Sequence, residues 1–191
     1  MDSFKFKEKK DLNIKKVSDG LILVHDSFKV EHIFECGQCF NFKKEEDGSY
    51  TAVFKKKIIN LLDNGSHVLI RNVSLEDFLD VFYDYFDLGT DYSQIKEAIS
   101  IDETLKLATE YGHGIRILNQ ELFETTISFI ISSNNQIPRI KKAVRIISER
   151  YGNYIGSYMG EDYYSFPSAK TLKDVDPLDL REYARVGFRD K

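Results

Sequence analysis

What this 191-residue chain lacks narrows it first. No apolar run approaches the roughly 20 residues that a membrane-spanning helix needs, and the Lys-rich start, Phe4 to Lys16, has no apolar core of the signal-peptide kind. The expectation is a cytoplasmic chain with no membrane partner. Cysteine is scarce, with only Cys36 and Cys39 in the run Cys36-Gly37-Gln38-Cys39. A structural zinc site needs a second ligand pair, and the four scattered histidines supply none. A thioredoxin-like site needs its motif between a strand and a helix of a βαβ unit, whereas both flanks here read as strands. Two small reduced side chains facing a core are expected, with no metal and no cofactor. Internal repeats, low-complexity tracts and a Pro/Gly/Ser-rich linker are also absent.

What is present suits a globular protein. Hydrophobic residues make up 42% of the chain and charged residues 30%, too apolar for disorder and enough for one large or two small domains with a core. The net charge of -4 argues against DNA binding only if it is spread evenly, and it is not. By count, residues 1–60 carry about +2, residues 61–112 about -8 and residues 113–191 about +2. Within the last part, Pro138 to Arg150 holds Arg139, Lys141, Lys142, Arg145 and Arg150 against only Glu149, and Arg181, Arg185, Arg189 and Lys191 follow. Such a local basic patch can contact phosphates, although a single basic helix is also an ordinary solvated face.

Periodicity divides the chain. The first ~70 residues read as antiparallel strands: Leu21 to Val24 after Asp19-Gly20, Gly48 to Phe54, then Lys57 to Leu62 and His67 to Arg71 joined by Asp63-Asn64-Gly65-Ser66. From Ser74, an N-cap, the spacing of Leu75, Phe78, Leu79, Phe82 and Phe86 is helical. Asp102 opens a helix that Gly112 stops, and Glu121 to Ile131 is apolar almost all round, so that helix is expected to be buried. Pro138 starts the next one, with Ile140, Val144, Ile147 and Tyr151 on one face and Gly152 at its end. Two short helices should follow, one capped by Ser168 and one begun by Asp176-Pro177 and running to about Arg185.

The stretch from Phe129 to Arg139 carries the chemistry. A helix that stops at Ser132-Ser133 and passes through Asn134-Asn135-Gln136 leaves several amides at a junction, with Arg139 just beyond Pro138. Amides donate and accept, and a guanidinium is a fork of donors, so together they can satisfy a base edge that has lost its partner. Taken alone, the same residues are explained by an interhelical turn with a capping role.

The order of the neighbouring blocks resembles the 8-oxoguanine DNA glycosylase family. Phe34-Glu35-Cys36-Gly37-Gln38-Cys39-Phe40-Asn41-Phe42 looks like that family's Gly-Gln-Cys/Ser-Phe block, and Tyr85-Phe86-Asp87-Leu88 with Tyr92 like its Tyr-Phe-x-Leu stretch. Gly114 to Gln120, leading into Ser128 to Asn135, matches nearly position for position, and Phe166-Pro167-Ser168 and Gly187-Phe188-Arg189 resemble two later blocks. The resemblance runs from about residue 20 to the end of the chain and is specific as a combination. It implies an α+β fold: an antiparallel, TBP-like sheet domain over residues 1–100, then part of an α-helical glycosylase domain over 101–191.

The resemblance also implies roles. A base inside a duplex has to be flipped out before it can be processed, which leaves a gap and an orphaned partner base. By resemblance Asn134 enters the gap, Arg139 and Arg189 bond the Watson-Crick edge of the estranged cytosine, and Phe188 is the wedge beside it, where the family often has Tyr. Gly37 is expected to read the lesion. Oxidation at C8 turns guanine N7 into an N7-H donor, which a backbone carbonyl can accept. Without the surrounding match, a glycine in a strand bulge is the simpler reading.

The family's catalytic lysine and aspartate lie in a helix-hairpin-helix element past the Gly-Phe-Arg block, and the chain stops two residues after Arg189. No catalytic residue is therefore expected within residues 1–191, and the isolated chain is expected to be inactive, with some apolar surface exposed and open to association. The expected partner is double-stranded DNA containing oxidised guanine. A non-catalytic reader of damaged or abasic DNA and an inert fragment are the other readings. A glycosylase for alkylated bases is the nearest enzymatic rival, although it has no need of the Gly37 block.

Overall fold

A computed structural model describes residues 9–190. Six strands form one antiparallel sheet in the order β1-β2-β6-β5-β4-β3: β1 (Ile14–Val17), β2 (Gly20–Leu23), β3 (Phe42–Lys44), β4 (Tyr50–Phe54), β5 (Lys57–Asp63) and β6 (Val68–Arg71). β1 pairs with β2 through Val17 opposite Gly20, β2 with β6 through Leu21 opposite Ile70, and β6 with β5 through Leu61 opposite Ile70. Gly20 is required in the first of these turns. Its φ is +136°, and a Cβ there would lie 2.1 Å from the Ile70 carbonyl oxygen.

Helices then dominate. α1 (Val30–Phe34) precedes β3. After the sheet, α2 (Leu75–Asp77), a π-helical segment Phe78–Phe82 and α3 (Tyr83–Tyr85) run on as one rod. Its start is capped by Ser74, whose hydroxyl accepts from the Asp77 N–H at 3.0 Å. α4 (Tyr92–Ile99) and α5 (Glu103–Tyr111) follow, the latter capped by Asp102, which accepts from the Leu105 N–H at 2.8 Å. Next come α6 (Leu122–Ser132), α7 (Ile137–Tyr151), a hairpin of β7 (Tyr154–Tyr158) and β8 (Glu161–Tyr164), α8 (Ala169–Lys173), and α9 (Pro177–Asp179) with its π-helical continuation Leu180–Ala184. A 3-10 turn, Gly187–Asp190, completes the described residues. No helix of the described residues is long and apolar enough to cross a membrane.

The chain divides into two compact units. The first comprises the residues up to Gln38 together with Glu46–Tyr50 and Asn60–Asn119. Its core is aromatic: Phe78, Phe82 and Phe86 stack in succession, 6.2 and 6.1 Å apart, because helical spacing puts them on one face, and Phe28 packs edge-on to Phe86 at 5.2 Å. Leu23, Ile33, Leu61 and Ile70 are fully buried with them, each burial contributing about 1.5–3 kcal/mol. The second unit comprises Cys39–Glu45, Thr51–Ile59 and the residues from Gln120 onward. There Ile140, Ala143, Val144 and Ile147 of α7 close a core with Phe40, Ile131, Ala184 and Val186.

Three local expectations are corrected. The segment before the cysteines is the helix α1 and not a strand, because Val30, Ile33 and Phe34 recur at helical spacing and are all buried. Cys39 is buried but Cys36 is exposed, since it lies in the turn that follows α1. The helix α6 is not buried all round. Only Ser128 and Ile131 are, while Leu122 is 82% exposed and Phe129 and Ile130 nearly half, because one face alone packs on the core. The sequence also passed over α4 and the β7–β8 hairpin. The hairpin's turn uses Met159 (φ +50°) and Gly160 (φ +79°) in place of the Asn-Gly pair that marks such turns.

Candidate nucleic-acid interface

In the second unit, four of the five expected site residues lie near the junction of α6 and α7. α6 ends at Ser132, and the chain reverses through Asn134, whose φ of +50° is left-handed and suits an Asn better than most residues. Its neighbour holds the turn. The Asn135 N–H donates to the Ser132 carbonyl at 3.1 Å, its amide Nδ2 donates to the Ile131 carbonyl at 3.1 Å, and its Oδ1 accepts from the Gln136 N–H at 2.9 Å. Asn135 thus has the capping role, and the Asn134 side chain is left exposed with no hydrogen bond to any described residue. Pro138 follows in the first turn of α7, where its missing N–H costs nothing, and Arg139 beside it is exposed and equally unengaged among the described residues.

The last described turn meets this one. Arg185 (φ +55°) and Gly187 (φ +64°) bend the chain sharply, and Asp190, whose side chain is 2% exposed, receives Arg181 Nη2 at 2.6 Å. Between them, Arg189 spreads its fork over main-chain carbonyls. Nε donates to Ser133 O at 3.0 Å, Nη1 to Val186 O at 3.0 Å, and Nη2 to Asn134 O at 3.2 Å and to Ser133 O. The guanidinium also lies 4.3 Å from the centre of the Phe188 ring, which is 70% exposed. Asn134, Phe188 and Arg189 therefore stand together on the surface, with Arg139 five residues along from Asn134. Of the basic residues of α7, Lys141 sits 3.6 Å over the Phe42 ring, Arg150 3.6 Å over the Tyr183 ring and Arg145 3.4 Å from Glu149, while Lys142 is exposed.

Gly37 belongs to the first unit, in the turn after α1, with φ +82°. A Cβ added there meets nothing within 4 Å, so the backbone conformation and not crowding calls for glycine. Next to it, Gln38 donates through Nε2 to the Arg116 carbonyl at 2.7 Å and accepts at Oε1 from the Leu118 N–H at 2.9 Å. Among the described residues, Arg116 is one of the largest fully buried side chains. It donates to the carbonyls of Phe86 (2.8 Å), Ser27 (3.0 Å), Thr90 (3.1 Å) and Asp87, and lies 4.1 Å from the Tyr92 ring centre. Burial pulls the guanidinium below its ordinary pKa, opposed by Tyr92 and Asp87. Neither Gln38 nor Arg116 was singled out from the sequence. The available signal was a lone arginine inside the apolar run Ile115-Arg116-Ile117-Leu118.

Residues 20–126 match the family model for the 8-oxoguanine DNA glycosylase N-terminal domain, and the chain belongs to that family. It is 39% identical over 108 residues to an N-glycosylase/DNA lyase of Saccharomyces cerevisiae, covering 56% of this chain and 28% of the relative. It is 27% identical over 183 residues to the N-glycosylase/DNA lyase OGG1 of Arabidopsis thaliana, covering 90% of this chain and 48% of the relative. Among solved structures, the 8-oxoguanine glycosylase/lyase of Clostridium acetobutylicum, in complex with double-stranded DNA containing cytosine opposite 8-oxoG, superposes with a TM-score of 0.86 at 38% identity. That match covers 97% of this chain and 62% of the other. The chain thus spans less than half the length of the curated relatives and under two thirds of the solved one.

Proposed function

We propose that the chain supplies the DNA-recognition portion of an 8-oxoguanine DNA glycosylase/AP lyase acting in base-excision repair. Residues 1–100 serve as its sheet domain and 101–191 as the beginning of its helical domain. The observation that supports this most directly is the cluster of Asn134, Phe188 and Arg189 where two turns meet on the surface, in a chain of this family. An unengaged carboxamide on a left-handed turn can occupy the space of an extruded base. Arg139 and Arg189 offer donors to the acceptors of cytosine, and the Phe188 ring wedges the neighbouring step. Gly37 accepts the N7-H of the oxidised base through its carbonyl. The substrate is double-stranded DNA carrying oxidised guanine, and a cytoplasmic location belongs to the same reading.

No residue of the 191 is assigned the chemical step, which in such a lyase uses a lysine to attack the sugar C1′ and a carboxylate to stabilise the developing positive charge. Binding by the 191-residue chain to a duplex with an abasic-site analogue opposite cytosine tests the reading. Binding that survives equal ionic strength with an intact duplex as competitor supports it. Equal affinity for both duplexes overturns it. The same chain is expected to give no borohydride-trapped adduct on an 8-oxoguanine:cytosine duplex, and an adduct would reassign the chemistry to residues within it.

A further inference from the structure

Reading a lesion through one carbonyl is only as selective as that carbonyl is immobile. Guanine presents an acceptor at N7 where the oxidised base presents a donor. A peptide that can turn over would offer its N–H to the one as readily as its C=O to the other. The peptide between Gly37 and Gln38 is at risk of this, because a glycine at φ +82° has wide conformational freedom and its surroundings leave 4 Å of open space at the Cβ position. Something other than packing has to hold it.

We propose that Gln38 is a positioning residue for lesion discrimination: its carboxamide locks the Gly37 carbonyl in the accepting orientation. This rests on the proposed reading of Gly37. The Gln38 amide is held at both ends, Nε2 on Arg116 O at 2.7 Å and Oε1 on the Leu118 N–H at 2.9 Å, which is the paired donor-acceptor contact of a strand neighbour. Nε2 also lies 3.3 Å from the Ile33 carbonyl at the end of α1 and 3.2 Å from Cys36 Sγ, so the same group ties both sides of the turn. Both attachment points are rigid. The main chain at 116–118 is anchored by the buried Arg116 guanidinium on four carbonyls, and the Ile117 N–H donates to Tyr92 Oη at 2.9 Å. A continuous path of hydrogen bonds therefore runs from a buried cage to the residue beside Gly37. The two-ended contact fixes where Gln38 sits and so holds the end of the 37–38 peptide in place, and turning that peptide over about its Cα–Cα axis would carry Gln38 to a positive φ, which a residue with a Cβ disfavours.

The distinguishing experiment measures equilibrium binding of the 191-residue chain and of Gln38→Met and Gln38→Glu to three duplexes: 8-oxoguanine:cytosine, guanine:cytosine and abasic analogue:cytosine. Met fills the same volume without the bonds. Glu keeps the contact with the Leu118 N–H but sets a carboxylate against the Arg116 carbonyl. The wild-type chain should prefer the oxidised duplex over guanine by about five- to tenfold, the worth of one hydrogen bond. Both variants should narrow that preference to within about twofold, mainly by gaining affinity for guanine, with abasic-duplex affinity unchanged. A purely structural role would lower all three affinities together along with the melting temperature. If Gln38→Met keeps the wild-type preference, the positioning role is wrong and the Gly37 reading stands. If the wild-type chain binds the abasic duplex but shows no preference for the oxidised base, the Gly37 reading falls and this role with it.

Discussion

Arg189 donates through Nε to the carbonyl of Ser133 at 3.0 Å, which ties a turn near the end of the described chain to one 56 residues earlier. The bond joins the two turns proposed for DNA recognition into one surface, and it engages an arginine whose proposed partner is a base. Four of the five N–H donors of its fork already lie on main-chain carbonyls, so contacting a base with more than one of them requires sharing or exchanging carbonyl partners.

Replacing Arg189 by Ala should therefore act twice. The turn loses bonds to the carbonyls of exposed Ser133 and Asn134, which water can replace, and to that of buried Val186, a loss of about 1 kcal/mol in stability. Affinity for an abasic analogue opposite cytosine should fall about tenfold, and less opposite adenine. Denaturant melts and anisotropy titrations on the two duplexes separate the effects.

Asn134 can be dissected by its backbone. At φ +50°, Asn134→Ala places an ordinary residue in the left-handed region and should cost about 1 kcal/mol, whereas Asn134→Gly should keep stability near wild type. Both should lose the preference for a gapped duplex over an intact one, since both remove the carboxamide. Retention of that preference in the glycine variant would show that the turn, not the side chain, does the recognition.

Arg116→Met should be among the most damaging single changes. It takes the guanidinium away from four carbonyls, of which that of Asp87 still accepts from the Thr90 N–H at 3.3 Å, and the expected loss is about 3 kcal/mol in urea denaturation. Arg116→Lys keeps a cation with fewer donors in a different geometry and should fall between the two.

Glu124 in α6 gives a pH signature. Burial pushes its carboxyl up to about 7, opposed by the hydrogen bond from Asn41 at 3.3 Å and assisted by Glu121. An acid whose folded pKa is raised favours folding where it is protonated, so its contribution is present below about 4.5 and is lost as pH rises through about 7. Glu124→Gln should therefore be more stabilising at pH 8 than at pH 5, by roughly 1–2 kcal/mol for a half-buried group after solvent screening. Equal effects at the two pH values would show that the carboxyl titrates normally.

Much of the architecture was legible from local signals. Ser74, Asp102, Ser168 and Asp176 each accept the N–H of a helix's first turn, because a short polar side chain before an apolar run has that use. Strands β2, β4, β5 and β6 lie within a residue or two of where alternation and turn residues put them. The hairpin at Met159-Gly160 was not legible, since Met at positive φ is held there by the strands on either side.

Short-range spacing and the order of blocks were enough for the family, the α+β class and the residue types at the turn between α6 and α7. How those residues are held is visible only once the chain is folded. Asn135, not Asn134, caps the turn, and Arg189 leans on Ser133. Gln38 reaches the Arg116–Leu118 main chain 78 and 80 residues away. Hydrogen bonds at such separations leave no periodic trace in a sequence, because they are set by where two distant segments of backbone come to rest.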